Sequence, residues 1–411
     1  MTAPLPAEPP PVPRTTAALL RDRTFGPWFF GNAVSNSGNW LFNVTAAIVV
    51  YRLSESALLV GLVSVAQFGP LLLLSPLGGA LSDRHDRRRL LLASQTVGAT
   101  AATALAVAAL VVGLDRLPGA WPILLTAFGI GMGQAVAAPA LQSLVPSLVD
   151  DHDLEAAVAL TSLTFNLGRA LGPATAGLLL ATLGAEAAFV INAASFLVLI
   201  AVLGVIRPRP REHSSGRDRS VRAGLRYVRG EPGLLLLLGG VMATGFAVDP
   251  MITLAPALAI ELGGSDTLAA GLVSAFGLAA VPAATISGRL QRRLGSLVVA
   301  TAGCATIAAG LLLSALSPAA WVAVCGFGLT GIGFVLALTS FTSVLQRRVP
   351  DALRGRVMAL WSVAFLGNRP IAALIDGAVA DRAGPRWAMG VGITVAALGV
   401  LVATRLRRRP A

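Results

Sequence analysis

Apolar stretches alternate with short charged or Gly/Pro breaks along most of the chain. A helix that crosses the hydrocarbon core of a membrane needs about 20 consecutive, mostly apolar residues. The pattern therefore predicts an all-α integral membrane protein with twelve transmembrane helices. The predicted spans cover residues 27–51, 57–81, 89–113, 119–147, 155–183 and 186–206 in the first half, and residues 233–259, 267–289, 295–316, 319–346, 355–379 and 385–404 in the second.

The composition agrees with a membrane location. Hydrophobic residues make up 55% of the 411 residues and charged residues make up 13%, and the mean hydropathy is +0.75. A soluble domain carries about 25% charged residues. This chain therefore has too few charged side chains to cover a water-exposed surface.

The breaks divide the chain into five parts. Residues 1–24 are rich in proline and lack the apolar core of a signal peptide, so we expect a disordered cytoplasmic tail there. Residues 25–206 and 233–405 each hold six predicted spans and form the two predicted bundles. A basic cytoplasmic linker over residues 207–232 joins the bundles, and a basic tail over residues 406–411 ends the chain.

The arginines indicate how the bundle is oriented. All 32 basic residues are arginine, and 26 of them fall in segments on one side of the predicted spans. The positive-inside rule places that side, and with it both termini, in the cytoplasm. Attraction of these arginines to anionic headgroups accounts for the net charge of +12, so we expect lipid rather than nucleic acid as their partner.

The chain also repeats itself. A shift of 200 residues superposes Asp151 on Asp351, Ser162 on Ser362, Arg169 on Arg369 and Gly177 on Gly377, and the sequence Gly61-Leu62-Val63-Ser64 recurs as Gly271-Leu272-Val273-Ser274. Two pseudo-symmetric six-helix halves in the same orientation explain this repeat.

A short charged hinge joins predicted spans 2 and 3. Its characteristic residues are Gly79, Leu81, Asp83, Arg84, Arg87 and Arg88. This spacing resembles the loop signature of the major facilitator superfamily, and Asp86 stands where that family usually has glycine. The resemblance implies the major facilitator fold and a gating role for the hinge. The alternative is an ordinary turn that is basic because it is cytoplasmic.

Three further stretches resemble the branch of this superfamily that exports macrolides and siderophores. They are Asn36-Ser37-Gly38-Asn39-Trp40, the run over residues 139–146 and the run over residues 165–173. The resemblance covers residues 25–405. It implies proton-driven export of a small amphiphilic or siderophore-like molecule by a chain that works as a monomer.

Small residues in span 5 partly match a signature of antiporters within this superfamily. They are Gly168, Gly172, Pro173 and Gly177. Close helix packing, which small residues four apart also permit, is the alternative. The arginine that relatives carry in span 4 is missing, since this chain has Gly131-Met132-Gly133-Gln134 there.

Four asparagines in span 1 share one helical face, because Asn32, Asn36, Asn39 and Asn43 follow at intervals of four, three and four residues. Such a stripe faces either a water-filled cavity or other helices, where each hydrogen bond contributes about 0.6 kcal/mol. Further carboxamides that would join a substrate cavity are Gln67, Gln134 and Asn166.

Among the ionisable residues inside the predicted spans, we single out Arg169, Asp249, Arg369 and Asp376. An ionisable side chain there costs about 2.5–3.5 kcal/mol and by default marks function. We interpret the aspartates as candidate proton carriers and the arginines as groups that tune them; a structural ion pair is the alternative. Asp249 precedes Pro250, so we expect span 7 to break there.

The sequence offers little support for an enzyme, a metal or a cofactor. His85, His152 and His213 lie in predicted cytoplasmic loops, and Cys304 and Cys325 lie within spans without metal-ligand spacing. A chain without lysine cannot form a phosphate-binding P-loop.

A transporter of a small molecule and protons is therefore the leading hypothesis. The alternatives are an uptake permease of the same fold and a non-transporting membrane receptor or scaffold. Abundant alanine and arginine are typical of a GC-rich bacterial genome, so we expect a multi-pass protein of a bacterial plasma membrane.

Overall fold

The computed structural model describes residues 14–84, 86–206 and 221–408, and these ranges are helical and contain no strand. The helices of the first half are α1 (Thr16–Leu20), α2 (Phe25–Ser54), α3 (Ala57–Arg84), α4 (Arg87–Val111), α5 (Trp121–Leu148) and α6 (Leu154–Val205). Short 3-10 turns over Leu114–Arg116 and Asp151–Asp153 precede α5 and α6.

The second half begins with a short helix that belongs to the predicted linker. That helix is α7 (Val221–Gly230). The other helices of the second half are α8 (Pro232–Ala247), α9 (Pro250–Thr253), α10 (Ala255–Glu261), α11 (Asp266–Leu294), α12 (Ser296–Ala315), α13 (Ala320–Arg348), α14 (Asp351–Leu366), α15 (Arg369–Ala383) and α16 (Pro385–Arg408). Residues 207–220 of the linker and residues 409–411 lie outside the described ranges.

All twelve predicted spans fall on these helices, which confirms the fold class. Helices α2–α5 are spans 1–4, and α6 carries spans 5 and 6 on either side of Gly184, whose φ of 83° is in the left-handed region that favours glycine. Helices α8–α10 together form span 7, and α14 and α15 together form span 11. Nine of the described segments are long and apolar enough to cross a membrane by length and composition.

Two spans of the second half are broken, and the breaks have local causes. Helix α8 ends at Ala247 and α9 begins at Pro250, which confirms the break expected there. The break between α14 and α15, at Gly367 and Asn368, is absent from the sequence prediction. Pro370 cannot continue the hydrogen-bond ladder of α14. The side-chain nitrogen of Asn368 instead donates to two backbone carbonyls, one of them on α8 at 2.7 Å.

The two halves pack on each other through two helix pairs, α3 with α15 and α6 with α11. Glycines permit this close approach. A Cβ atom at Gly377 would lie 2.5 Å from the backbone oxygen of Ala57, and one at Gly61 would clash with the backbone oxygen of Ala373. Gly177 faces Ser274 and Ala270 of α11 in the same manner.

Polar contacts close one end of the boundary between the halves, which we call the sealed end. Arg52 at the end of α2 pairs with Asp266 at the start of α11, with a 3.1 Å separation. Asp381 of α15 accepts hydrogen bonds from the Ser56 hydroxyl at 2.6 Å and from the backbone N–H of Ala57 at 2.7 Å. A carboxylate of one half therefore caps the N-terminus of α3 in the other.

Within the predicted N-terminal tail, residues 14–24 are described and contain helix α1, whereas disorder was expected over residues 1–24. Helix α1 packs Leu19 at 0% exposure against the start of α2 and the end of α5. This apolar contact is the reason why the proline-rich composition of the whole tail is a poor guide to residues 14–24. Residues 1–13 lie outside the described ranges.

Arg14 fixes this segment by contacting three carboxylates, Asp22, Asp150 and Asp153. Burial raises the pKa of Asp22, but hydrogen bonds from the Thr24 hydroxyl, from neighbouring backbone N–H groups and from Arg14 outweigh it and lower the pKa to about 2. A carboxyl group whose pKa is lower in the folded state than in the unfolded chain stabilises the fold at pH values above its unfolded pKa. The contribution of Asp22 is therefore present at neutral pH and is lost as the pH falls toward 2.

The charged hinge is more helical than its sequence suggests, since α3 continues to Arg84 and α4 starts at Arg87. Asp86 caps α4 by accepting from the backbone N–H of Arg89 at 2.8 Å. Arg88 donates to the carbonyls of Leu203 and Gly204 at the end of α6, within the same half. Leu81 is 37% exposed. The surroundings of Gly79 and the side chains of Asp83, Arg84 and Arg87 lie outside the described part of the structure.

The glycine contact between the halves predicts a difference between two equivalent positions. Gly61→Ala should lower the melting temperature in detergent, because overpacking a tight contact costs about 1–3 kcal/mol. Gly271, its partner in the repeat, has open space where a Cβ would lie. Gly271→Ala should therefore leave the melting temperature unchanged or raise it slightly, and equal losses in both variants would contradict the packing described here.

Candidate functional site

A cavity of about 520 Å³ lies between the two halves. It is of a size that suits small-molecule ligands. Its lining includes Trp28, Val145 and Val158, which lie within two turns of the ends of α2, α5 and α6. Those helix ends are opposite the sealed end, so the cavity extends from the middle of the bundle toward the unsealed end.

Carboxamide side chains are prominent in the wall of the cavity that the first half provides, together with the rings of Trp28, Trp40, Phe68 and Phe196. Every predicted carboxamide whose side chain is described lines it, and these are Asn32, Asn36, Asn39, Asn43, Gln67 and Gln134. Asn36 also donates to the backbone oxygen of Thr164 on α6 at 3.4 Å. At this residue, both readings of the asparagine stripe therefore apply. The side chain of Asn166 lies outside the described part of the structure.

Gln95 of α4 belongs to the same wall and escaped the sequence prediction. Its side chain is 8% exposed, and its Oε1 atom has no hydrogen-bond partner among the described residues. The Oδ1 atom of Asn39 is also buried and has no hydrogen-bond partner among the described residues. A lone glutamine inside an apolar span was the available signal, because buried carboxamides are normally hydrogen-bonded.

Aromatic rings form much of the facing wall, which the second half provides. Phe276 and Phe334 have ring centroids 5.6 Å apart, and Phe334 stacks on Phe365 at 6.1 Å with an interplanar angle of 23°. All three rings line the cavity. They come from three separate helices, so no local sequence pattern connects them.

Among the described residues that line the cavity, two are charged, and both lie beside helix breaks. Asp249 lies between α8 and α9, and Arg369 is the first residue of α15. The Arg369 Nε atom lies 3.8 Å from Asp249 Oδ1, and the Thr253 hydroxyl donates to Asp249 Oδ2 at 2.7 Å. This contact joins two of the predicted intramembrane charges.

Arg369 also reaches across to the first half. Its guanidinium lies 4.8 Å from the centroid of the Phe68 ring and 6.0 Å from the centroid of the Trp40 ring. Such cation–π contacts stabilise a cation that is shielded from water. Arg369 therefore connects the halves at the depth of the cavity as well as pairing with Asp249.

Asp376 lies two turns farther along α15, with its residue 0% exposed. Neither carboxyl oxygen has a hydrogen-bond partner among the described residues. An isolated carboxylate is costly in an apolar interior. Asp376 is thus a buried ionisable group that the described packing does not compensate.

A second, much smaller cavity of about 10 Å³ adjoins Arg369 of the charged pair. Its lining includes Asn43, Ser64, Thr253 and Arg369. The volume is close to the minimum that holds one water molecule. It provides a polar position between the charged pair and the helix segments that lead to the sealed end.

The predicted glycines of span 5 have packing contacts where they are described. A Cβ at Gly172 would lie 2.5 Å from Trp40, and Gly177 contacts α11 as described above. The structure thus brings Trp40, a cavity residue, directly against α6. The surroundings of Gly168 and the side chains of Arg169 and Pro173 lie outside the described part of the structure.

Comparisons with known proteins agree with this architecture. The model of the family described as "Transmembrane secretion effector" matches residues 14–411. The enterobactin exporter of Shigella boydii serotype 4 is 29% identical over 394 residues, which cover 92% of each chain. The enterobactin exporter of Escherichia coli O6:K15:H31 is similar to the same extent. These relatives are transporters, as the sequence predicts, and not enzymes.

Solved structures share the fold. A bacterial homologue of the human lysosomal transporter Spinster, in an inward-facing and unoccupied conformation, has a TM-score of 0.74 at 13% identity, covering 94% of this chain and 96% of that one. A bacterial homologue of the iron transporter ferroportin, in an inward-facing state, has a TM-score of 0.68 at 17% identity, covering 94% and 99%.

The pairing of Asp249 with Arg369 is testable by charge removal. Arg369→Gln should destabilise the protein by about 3–5 kcal/mol, because it leaves a buried carboxylate without its cation. Adding Asp249→Asn should restore most of that loss, and thermal unfolding of both variants in detergent measures it. A stability loss in the double variant equal to the sum of the losses in the two single variants would contradict a direct pairing.

Proposed function

Because the chain belongs to the transmembrane secretion effector family of major facilitator transporters, we propose that it exports a small amphiphilic molecule across a bacterial cytoplasmic membrane in exchange for protons. The observation that carries this proposal is the Asp249–Arg369 pair in the wall of the cavity between the halves. An ionisable pair at that position gives a proton a place to bind beside the cargo.

The orientation follows from the arginines. With the arginine-rich side in the cytoplasm, the sealed end faces outward and the cavity faces inward. An exporter collects its cargo in such a state. Release outside then requires the two halves to rock apart at the sealed end, where Arg52 meets Asp266 and Asp381 meets Ser56.

Proton coupling can operate through the charged pair. In the inward-facing state Asp249 is ionised and paired with Arg369, whose positive charge offsets it. When the cavity opens outward, a proton binds Asp249 and weakens that pairing. Return to the inward-facing state brings Arg369 back against the carboxyl group and expels the proton to the cytoplasm.

Asp376 is the second carboxyl group in this scheme. A buried carboxyl group without a partner is best accommodated when it carries a proton. It lies on the same helix as Arg369, so α15 connects the two candidate proton sites. The small cavity beside Arg369 offers a water position on the path from the sealed end.

Relatives support a siderophore-like cargo. The similar proteins from Shigella boydii and Escherichia coli are named as exporters of enterobactin. A cavity of about 520 Å³ with both carboxamide and aromatic walls suits an amphiphilic molecule of moderate size. Enterobactin is therefore the first compound to test as cargo.

Removing either buried carboxyl group should uncouple transport. In inside-out vesicles with an acidic lumen, enterobactin accumulation should fall to background in Asp249→Asn, in Asp376→Asn or in both, because asparagine cannot carry a proton. Exchange of labelled for unlabelled enterobactin at equal pH should persist, since it needs no net proton movement.

Glu155→Gln provides the matched control, since Glu155 is exposed at the start of α6. This variant should accumulate enterobactin as the wild type does. Normal pH-driven accumulation in both aspartate variants would refute the assignment of the proton sites.

The sealed end generates a separate prediction. Asp381→Ala removes the cap that α15 places on α3, which is worth about 1 kcal/mol, or a roughly fivefold shift in a two-state population. The population of the outward-open state should therefore rise about fivefold relative to the inward-open state. Labelling of Ser64→Cys by a membrane-impermeant maleimide from outside measures it, with Cys304 and Cys325 replaced by alanine.

Asp115→Ala is the control for this labelling. Asp115 also pairs with Arg52, at 3.2 Å, but both residues belong to the first half. Its loss should leave the labelling rate nearly unchanged. Equal rates in the Asp381→Ala variant and in the parent would contradict a seal between the halves at this end.

A further inference from the structure

We propose that separate groups of named side chains in the cavity recognise the polar part and the aromatic part of its cargo. Gln95 and Asn39 of the first half hydrogen-bond to its polar groups, and the ring row Phe276, Phe334 and Phe365 of the second half holds an aromatic ring. The cargo class is then an aromatic molecule that bears hydroxyl or amide groups. This inference rests on the proposed transport function and goes further by assigning specificity to named residues.

The unfilled oxygens of Gln95 and Asn39 indicate the polar part of the site. Both residues line the cavity, and Gln95 Oε1 and Asn39 Oδ1 are buried with no partner among the described residues. A buried carboxamide without its hydrogen bonds is unfavourable, so a ligand group or a water completes it. A carboxamide both donates and accepts, which suits a cargo rich in hydroxyl or amide groups.

The ring row indicates the apolar part. The three phenylalanines are 3–7% exposed and line the cavity from α11, α13 and α14. Their faces pack on one another at centroid separations of 5.6 and 6.1 Å, and Phe365 also stacks on Trp361 at 5.2 Å, so the small exposed part that remains is available for contact with a ligand ring. An aromatic ligand gains from such surfaces beyond simple burial, because ring faces and edges carry opposite partial charges.

Charge on the cargo plays a smaller part in this recognition. Among the lining residues of the described cavity, the ionisable side chains are Asp249 and Arg369, and they already contact each other. The carboxamide wall carries no charge at any pH. Hydrogen-bonding groups and a ring therefore distinguish one cargo from another.

A matched pair of fluorescent ligands tests the division. A dihydroxycoumarin and its dimethoxy ether share the same rings, but the ether has lost both hydroxyl donors. Binding to the purified full-length protein in detergent is measured by fluorescence anisotropy. The wild type should bind the dihydroxy compound more tightly than the ether.

Gln95→Leu should weaken binding of the dihydroxycoumarin about five- to tenfold and leave the ether unchanged, because it removes one hydrogen-bonding group at nearly constant volume. Phe334→Leu should weaken both ligands about three- to tenfold, because both lose the same ring contact. Phe128→Leu, on a ring that is 49% exposed, should change neither.

Three results would overturn the inference. They are failure of the wild type to bind either coumarin, equal loss of both ligands in Gln95→Leu, and unchanged binding in Phe334→Leu. Export measured in parallel separates this inference from the proposed function. The expected binding pattern without any export would contradict only the proposed transport function. Proton-driven export that is unchanged in Gln95→Leu and in Phe334→Leu would contradict only the proposed recognition.

Discussion

The contact between Asp249 and Arg369 is the interaction on which the rest of the site depends. Each charge stands beside a break in a membrane-crossing helix. Broken helices near the middle of the membrane leave backbone groups free to line a cavity, and transporters commonly bind cargo and coupling ions there. Two opposite charges 3.8 Å apart stabilise each other in surroundings that neither would tolerate alone. A cavity with ionisable groups in its wall is the result.

The internal repeat accounts for the fold that the two halves share, and aligned positions show where their chemistry differs. The offset that aligns Gly61 with Gly271 also aligns Asn39 with Asp249. A carboxamide in the first half thus corresponds to a carboxylate in the second. In our account the first half hydrogen-bonds to the cargo, and the second half holds its ring and exchanges protons. In the proposed transport cycle, conversion between states would couple these tasks, because Arg369 contacts rings of the first half.

The sequence predicted the fold well because apolar stretches of about 20 residues mark whole membrane-crossing helices. It also predicted the break before Pro250, which has a local cause. An ion pair between intramembrane charges was expected from the sequence, but which arginine pairs with Asp249 depends on how helices distant in sequence pack. The phenylalanine row was missed for that reason, whereas Gln95 was missed although a glutamine inside an apolar span is a local signal. The carboxylate that caps α3, Asp381, was missed because a helix cap supplied by another half leaves no local sequence signal.

Proton movement driven by cargo tests the central claim most directly. Proteoliposomes loaded with a pH-sensitive dye receive enterobactin outside, with no initial pH difference and with protein-free liposomes as the reference. The account predicts that the lumen becomes alkaline as enterobactin enters, because each inward step of cargo moves protons outward, whichever way the protein is inserted. Entry of enterobactin with no change in pH, or with acidification of the lumen, would contradict proton exchange.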